Sequence, residues 1–177
     1  MIDERERVIL VTETDTEIGD APKLEAHRTG ALHRAFSVFL LDCDGRVLLQ
    51  RRATGKYHSP GLWSNTCCGH PRPGERTNDA ARRRLREEMG IDCELSHASS
   101  FVYRADLEGE LVEHELDHVF VGLTSDLPLH DSAEVSECRW IEVDELREWL
   151  RREPMAFTAW FALAFEEAAK HDAFSAA

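Results

Sequence analysis

The chain has 177 residues, enough for one domain to bury a core without disulfide or metal staples. Its 34 acidic against 21 basic residues leave a net charge of -13, which argues against partners such as nucleic acid or an anionic membrane surface. The N-terminus MIDERERVILVTE shows no basic region followed by an apolar run, and no stretch reaches transmembrane length. Five cysteines without framework spacing (Cys43, Cys67, Cys68, Cys93 and Cys138) point to a reducing, cytoplasmic setting.

Glu6–Thr12 reads as a first strand, with Asp15 and Gly19 in turn positions after it. Ala35–Asp42 and Arg46–Arg51 flank Cys43-Asp44-Gly45, and Asp-Gly between two apolar runs signals a hairpin. Ser59-Pro60-Gly61 makes a turn ahead of Leu62 and Trp63. The spacing predicts a helix over Asn78–Met89, capped by Thr77 or Asn78 and stopped at Gly90, with Ala81, Leu85 and Met89 as its apolar row. Glu88 falls at the margin of that row, and Arg84 lies one turn earlier, within pairing reach. Ser99–Ala105 and Leu111–Leu123 read as strands, and Arg139–Val143 as a shorter one. Asp144 looks like the N-cap of a helix to Arg151. Pro154–His171 reads as a last helix, with Phe157, Trp160, Phe161, Ala164 and Ala168 at helical spacing. The pattern is α/β or α+β, with a mixed sheet in a single domain over 1–177.

Residues 114–118 spell His-Glu-Leu-Asp-His, the H-E-x-x-H pattern of zinc proteases. That chemistry requires a helix, and the β-branched and aromatic surroundings (LVEHELDHVFVGL) read as a strand. On a strand Glu113 and Glu115 share one face, and His114 and His118 point to the other. The segment then presents two carboxylates side by side.

The richest stretch is Ser64–Ile91, where Cys67, Cys68, Gly69 and His70 precede a Pro/Gly turn and the charged helix. Residues 69–91 resemble the Nudix box, G-x5-E-x7-R-E-U-x-E-E-x-G-U with U aliphatic: Gly69, Glu75, Arg83, Leu85, Glu87, Glu88, Gly90 and Ile91 fit in register. The resemblance implies a Nudix-type α/β/α sandwich. It departs at Arg84, which stands where the pattern has glutamate. Nudix hydrolases use such helix carboxylates to hold magnesium against a diphosphate and activate water. A guanidinium there removes a ligand and supplies a fork for phosphate oxygens instead.

A second resemblance covers Lys23 to Trp160. His27 and His33, NTCCGHP (Asn65–Pro71), VEHE (Val112–Glu115) and AFTAW (Ala156–Trp160) together are similar to type I isopentenyl-diphosphate isomerases. That family interconverts isopentenyl and dimethylallyl diphosphate by protonating one alkene carbon and deprotonating another. The resemblance implies Cys68 and Glu115 as proton-transfer groups, Tyr103 assisting Glu115, and Cys67 pointing away. It implies a metal site of His27, His33, His70, Glu113 and Glu115 for Mn2+, Zn2+ or Mg2+. A diphosphate would be gripped by Lys23, Arg52, Lys56 and Arg84, with Mg2+ at Glu88 and the Cys68 carbonyl, and Trp160 would stand over the hydrocarbon. Two of the chain's three lysines fall in this cation set. Two competing readings are a Nudix hydrolase of a nucleoside or other diphosphate, disfavoured by Arg84, and a non-enzymatic diphosphate-binding module, which has no use for Cys68 with Glu115. Oligomeric state is not legible in the sequence.

Overall fold

The computed structural model describes residues 6–56 and 58–175. Residues 1–5 and 176–177, part of the expected 1–177 domain and of the N-terminal reading, lie outside the described residues. The sheet is built around β3 (His33–Leu41), a run buried on both faces. Phe36, Val38 and Leu40 enter one core and Phe39 and Leu41 the other, following the two-residue period of a strand.

β8 (Leu111–Leu123) runs parallel to β3, with partners from His33↔Glu115 to Leu41↔Leu123. β7 (Leu95–Leu107) is antiparallel to β8, and the three-residue β6 (Cys67–Gly69) is antiparallel to β3. β1 (Arg7–Val11) meets β3 at Leu10↔His33 and carries β2 (Glu17–Pro22) on its outer side. β4 (Val47–Arg52) pairs with β5 (Trp63–Ser64) and β9 (Val135–Ile141). Among the described residues this is one mixed nine-stranded sheet.

Helices cover both faces. α2 (Thr77–Met89) packs Ala81, Leu85 and Met89 against Phe36, Val38 and Leu40. On the other face lie Leu146 of α3 (Val143–Arg152) and Phe161, Ala164 and Phe165 of α4 (Phe161–Ala168), against Phe39 and Leu41. Burying each such Leu or Phe contributes about 1.5–3 kcal/mol. The layers are helix, sheet, helix, so the α/β/α sandwich expected from the box is the observed architecture. Gly90 closes α2 with a left-handed φ of 69° and donates its N–H to Arg86 O at 3.0 Å. Beyond it, Leu129 N and Asp131 N donate to Met89 O and Glu88 O, pinning the loop before β9 onto the helix end.

Several boundaries differ from those read in the sequence. The helix expected over Pro154–His171 is interrupted: Pro154–Ala156 form one tight turn, Phe157 is extended and bridges Trp63, and α4 starts at Phe161. The Thr158 N–H donates to Trp63 O at 2.9 Å, so the backbone here serves the sheet edge. Trp160 therefore precedes the helix instead of lying on its apolar row, although Phe157 and Phe161 still stack at 4.7 Å. α2 begins at Thr77 with Arg76 in the cap position and no side-chain cap, so neither Thr77 nor Asn78 caps it. α3 is preceded by Glu142 rather than Asp144. The sequence reading has no counterpart for β2, β5, β6 or α1 (Lys23–Thr29), all of them short.

β8 passes very close to its neighbours at Gly122, where an added Cβ would stand 2.8 Å from Leu40 Cδ2 and 2.9 Å from Glu94 O. Gly122→Ala is expected to destabilise the protein by about 1–3 kcal/mol through overpacking. Urea unfolding followed by circular dichroism reads this directly, and an unchanged midpoint would contradict it.

Candidate active site

Strand parity assembles the site. His33 faces Glu115 across the β3–β8 pair, and Tyr103 faces Glu115 across the β7–β8 pair. On β6 successive side chains point to opposite faces, so Cys67 is fully buried in the α2-side core. Cys68 packs on the other face and lines a cavity of about 710 Å³. Glu113 and Glu115 also line this cavity. His114 and His118 point the other way, to Gly30 O and towards Asp15, so the H-E-x-x-H segment is a strand with no protease geometry.

Nitrogen and carboxylate donors crowd together behind the cavity. One ligand atom from each of His27, His33, His70 and Glu115 lies within 4.8 Å of the others. Glu113, expected in the same set, groups instead with His27 and His58. A carbonyl can only accept, so His27 donates Nδ1–H to Lys23 O (2.7 Å) and His33 donates Nδ1–H to Ala31 O (2.8 Å). Each therefore turns Nε2 toward the cluster, the orientation that backbone-anchored metal histidines adopt. His33 Nε2 is buried and makes no hydrogen bond. Three imidazoles with carboxylate oxygen suit a borderline divalent ion such as zinc or manganese, and the residues present fit such a group.

Burial sets the protonation states. It pushes His70 down to about 3 and His58 to about 2, so both are neutral. His70 then holds Glu115 Oε1 at 2.9 Å as a hydrogen-bond donor, not as a cation. Burial and the neighbouring Glu115 push Glu113 well up. Glu115 is itself opposed by burial, but His33 and His70 hold it well below the usual carboxylate range. Tyr103 Oη sits between the two carboxylates, 2.6 Å from Glu115 Oε2 and 3.1 Å from Glu113 Oε2. One member of the pair keeps a proton and the other the charge. Beneath them Asp117, pushed up to about 8 by burial and by Glu115, accepts from Ser37 Oγ at 2.8 Å. Burial raises the Cys68 thiol to about 12, so it is protonated at neutral pH.

The expected cation set lines the same cavity, and each member has a protein partner. Lys23 Nζ is 3.0 Å from Glu6 Oε2, and Lys56 pairs with Glu134. Arg84 reaches Glu88 Oε1 at 2.5 Å, Glu87 Oε2 at 2.9 Å and Glu134 Oε2 at 3.4 Å. Gln50 Nε2 donates to the other Glu88 oxygen at 3.0 Å, so both oxygens of this expected magnesium ligand are engaged by the protein. Arg52 donates to His58 O and lies 5.6 Å over the Trp160 ring.

His58, Asn65, Glu134 and Asp117 were not assigned roles from the sequence. Asn65 carries the most structure: its Nδ2 donates to Cys67 O (2.6 Å) and Val38 O (3.3 Å), and its Oδ1 accepts Trp160 Nε1–H (3.1 Å). One buried amide thus ties the cysteine strand, the central strand and the cavity tryptophan together. It stands in the quoted NTCCGHP stretch, which was the available signal.

Residues 31–161 match the NUDIX domain family. The chain is 55% identical over 163 residues to "Isopentenyl-diphosphate Delta-isomerase" of Burkholderia multivorans, covering 92% of this chain and 93% of that protein. It is 52% identical over 161 residues to "Isopentenyl-diphosphate Delta-isomerase 2" of Aromatoleum aromaticum, covering 91% and 85%. Among solved structures, DR0079 of Deinococcus radiodurans superposes with a TM-score of 0.73 at 22% identity, covering 94% of this chain and 99% of that one. The MutT NUDIX hydrolase of Burkholderia pseudomallei gives 0.62 at 22% identity, covering 77% and 97%. At that identity the two structures speak to fold alone.

Asn65→Ala would leave the Trp160 N–H and the Cys67 carbonyl buried without this partner. The expected loss is about 1–3 kcal/mol per unsatisfied group, with a red shift of tryptophan emission as Trp160 loosens. Wild-type stability and emission in the variant would contradict the bridging role.

Proposed function

The chain belongs to the NUDIX domain family and, within it, to the isopentenyl-diphosphate Delta-isomerases, and from that premise we propose that it interconverts isopentenyl and dimethylallyl diphosphate by the groups described below. The observation that carries isomerisation over hydrolysis is Arg84. It stands at a glutamate position of the box and pairs with the remaining Glu88 at 2.5 Å. A hydrolase site needs those carboxylates free to gather metal around attacking water.

The alkene reaction needs one proton delivered to a carbon and another removed, around a tertiary cation that water must not reach. Cys68 brings a protonated thiol to the cavity, and Glu115 brings an ionised carboxylate with Tyr103 Oη at 2.6 Å. Proton transfer between substrate carbon and these two groups, in either direction, leaves the substrate's atoms unchanged in number and moves only the double bond. The Trp160 face beside Arg52 walls the cavity, and its π electrons suit the cationic carbon. Lys23, Arg52, Lys56 and Arg84 would take the diphosphate, with Mg2+ at Glu88. His27, His33, His70, Glu113 and Glu115 would hold a second divalent ion. That ion, when bound, would fix Glu115 and draw charge from its carboxylate.

The partner in this reading is a small isoprenoid diphosphate, not nucleic acid or a membrane. Among the described residues all five cysteines are free and no helix is long and apolar enough to cross a membrane. The free thiols support a reducing compartment such as the cytoplasm.

Incubation with isopentenyl diphosphate and magnesium is expected to yield dimethylallyl diphosphate without free phosphate; phosphate release without alkene migration would overturn the reading. Cys68→Ala is expected to abolish turnover, whereas Cys67→Ala, altering a core residue off the cavity, should keep most of it. Equal losses would show that the thiol role is assigned wrongly. Stripping divalent ions with a chelator should likewise abolish turnover, and re-addition should restore it.

A further inference from the structure

One cation on the cavity wall stands outside the set read from the sequence. Arg72 lines the cavity and is exposed. The other arginines and lysines of the wall are engaged by the protein. Acids hold Lys23, Lys56 and Arg84, and Arg52 is held by His58 O and Trp160. Arg7 pairs with Asp20, and Arg83 with Glu75 and Glu87. Among the described residues the Arg72 guanidinium makes no hydrogen bond or ion pair, and only its backbone is bonded. Such a group gives up no partner when it takes an anion, whereas Lys56 or Arg84 must exchange one.

The backbone beneath this side chain is fixed. Arg72-Pro73-Gly74-Glu75 is a β-turn closed by the Glu75 N–H, which donates to Arg72 O at 2.8 Å. Proline sets the second position and Gly74, at φ 79°, takes the left-handed third. The Arg72 N–H donates to Glu75 Oε2 at 2.9 Å. Arg83 forks onto the two Glu75 oxygens at 2.7 and 2.9 Å, which bolts the turn to α2 one residue ahead of Arg84. Glu75, the acid nearest to Arg72 in the chain, is thereby committed to Arg83. We propose that Arg72 is a further substrate-binding residue, whose guanidinium takes phosphate oxygens of the diphosphate at the rim of the cavity, on the Arg84 side. Its planar fork fits two such oxygens, and on a chain of net charge -13 a rim cation also draws an anion inward.

The inference rests on the reading that the cavity takes a diphosphate, and inorganic pyrophosphate tests the two separately. Backbone atoms, Pro73 and Gly74 hold the turn, so Arg72→Ala is expected to keep the wild-type circular dichroism and Tm. Its KM for isopentenyl diphosphate should rise about three- to tenfold while kcat holds. Pyrophosphate, as a competitive inhibitor, should weaken by the same factor, because the contact is with phosphate oxygens and not with the hydrocarbon. Arg72→Lys keeps the charge without the fork and should recover part of the loss, and Arg72→Glu should exceed it. Added salt should raise the KM of wild type more steeply than that of Arg72→Ala. Unchanged KM and pyrophosphate affinity in the folded Ala variant would overturn the role of Arg72, as would a loss confined to kcat. A wild type that neither binds pyrophosphate in a calorimeter nor turns over isopentenyl diphosphate would overturn both readings. Equal pyrophosphate binding by wild type and Arg72→Ala would overturn the role of Arg72 alone.

Discussion

The site depends on one pairing, the parallel register of β3 against β8. With His33 opposite Glu115 and Tyr103 opposite Glu115 on the far side, three strands deliver an imidazole, a carboxylate and a phenol in one row on one face. Because side chains alternate, a slip of one residue would set His114 or Leu116 opposite His33 and turn the acids to the opposite face. What prevents the slip is hydrophobic. Val119 and Val121 of β8 belong to the α4-side core, Phe120 to the α2-side core, and β3 alternates in the same way. The geometry of the site is inherited from the packing of greasy residues further along the same strands.

That inheritance carries a stability burden. His27 and His33 are fully buried, and Glu113, Glu115 and Asp117 nearly so. Groups that titrate rarely gain stability from such surroundings, since desolvation exceeds what imperfect pairing returns. Protonation relieves much of it: His58 and His70 shed charge, Glu113 and Asp117 retain protons, and Glu115 is the acid held ionised. The two flanking cores, not the cluster, hold the fold. A bound cation would favour the folded state, because only the fold brings the ligands within reach.

Legibility in the sequence followed the range of the physics involved. The helix of the box was readable because its Gly90 stop, spacing and apolar row are local, and the strand reading of 111–123 followed from residue type and alternation. Cys68 and Cys67 could be separated by strand parity once β6 existed, but three residues of strand leave no periodic trace. Lys23 and His27 were named without knowing that α1 presents them one turn apart, because a seven-residue polar helix looks like loop. The break before α4 was hidden for the opposite reason. Phe157, Trp160 and Phe161 have helical spacing, yet the Thr158 N–H finds its partner on β5, a contact between residues almost a hundred positions apart. His58 and Glu134 were invisible for the same cause: each matters through neighbours distant in the chain.

Arg84 shows how one residue changes what the assembled site can do. In a hydrolase-type box this helix face offers several carboxylates to metal and water. Here the arginine replaces one of them and occupies a second, with Glu88 fixed between Arg84 and Gln50 and Glu134 shared between Arg84 and Lys56. Glu6, Glu88 and Glu134 on this wall of the cavity are each matched to a cation, so on the proposed reading a diphosphate would enter by exchanging ion partners. The Cys68 thiol, the ionised Glu115 and the Tyr103 phenol, by contrast, lie on the face of the sheet away from α2. The two faces meet at β6, since Arg84 and Glu88 line the same cavity as Cys68 and Glu115. Cys67 faces Glu88 and the helix there, while Cys68, the next residue, faces Glu115 and the cavity.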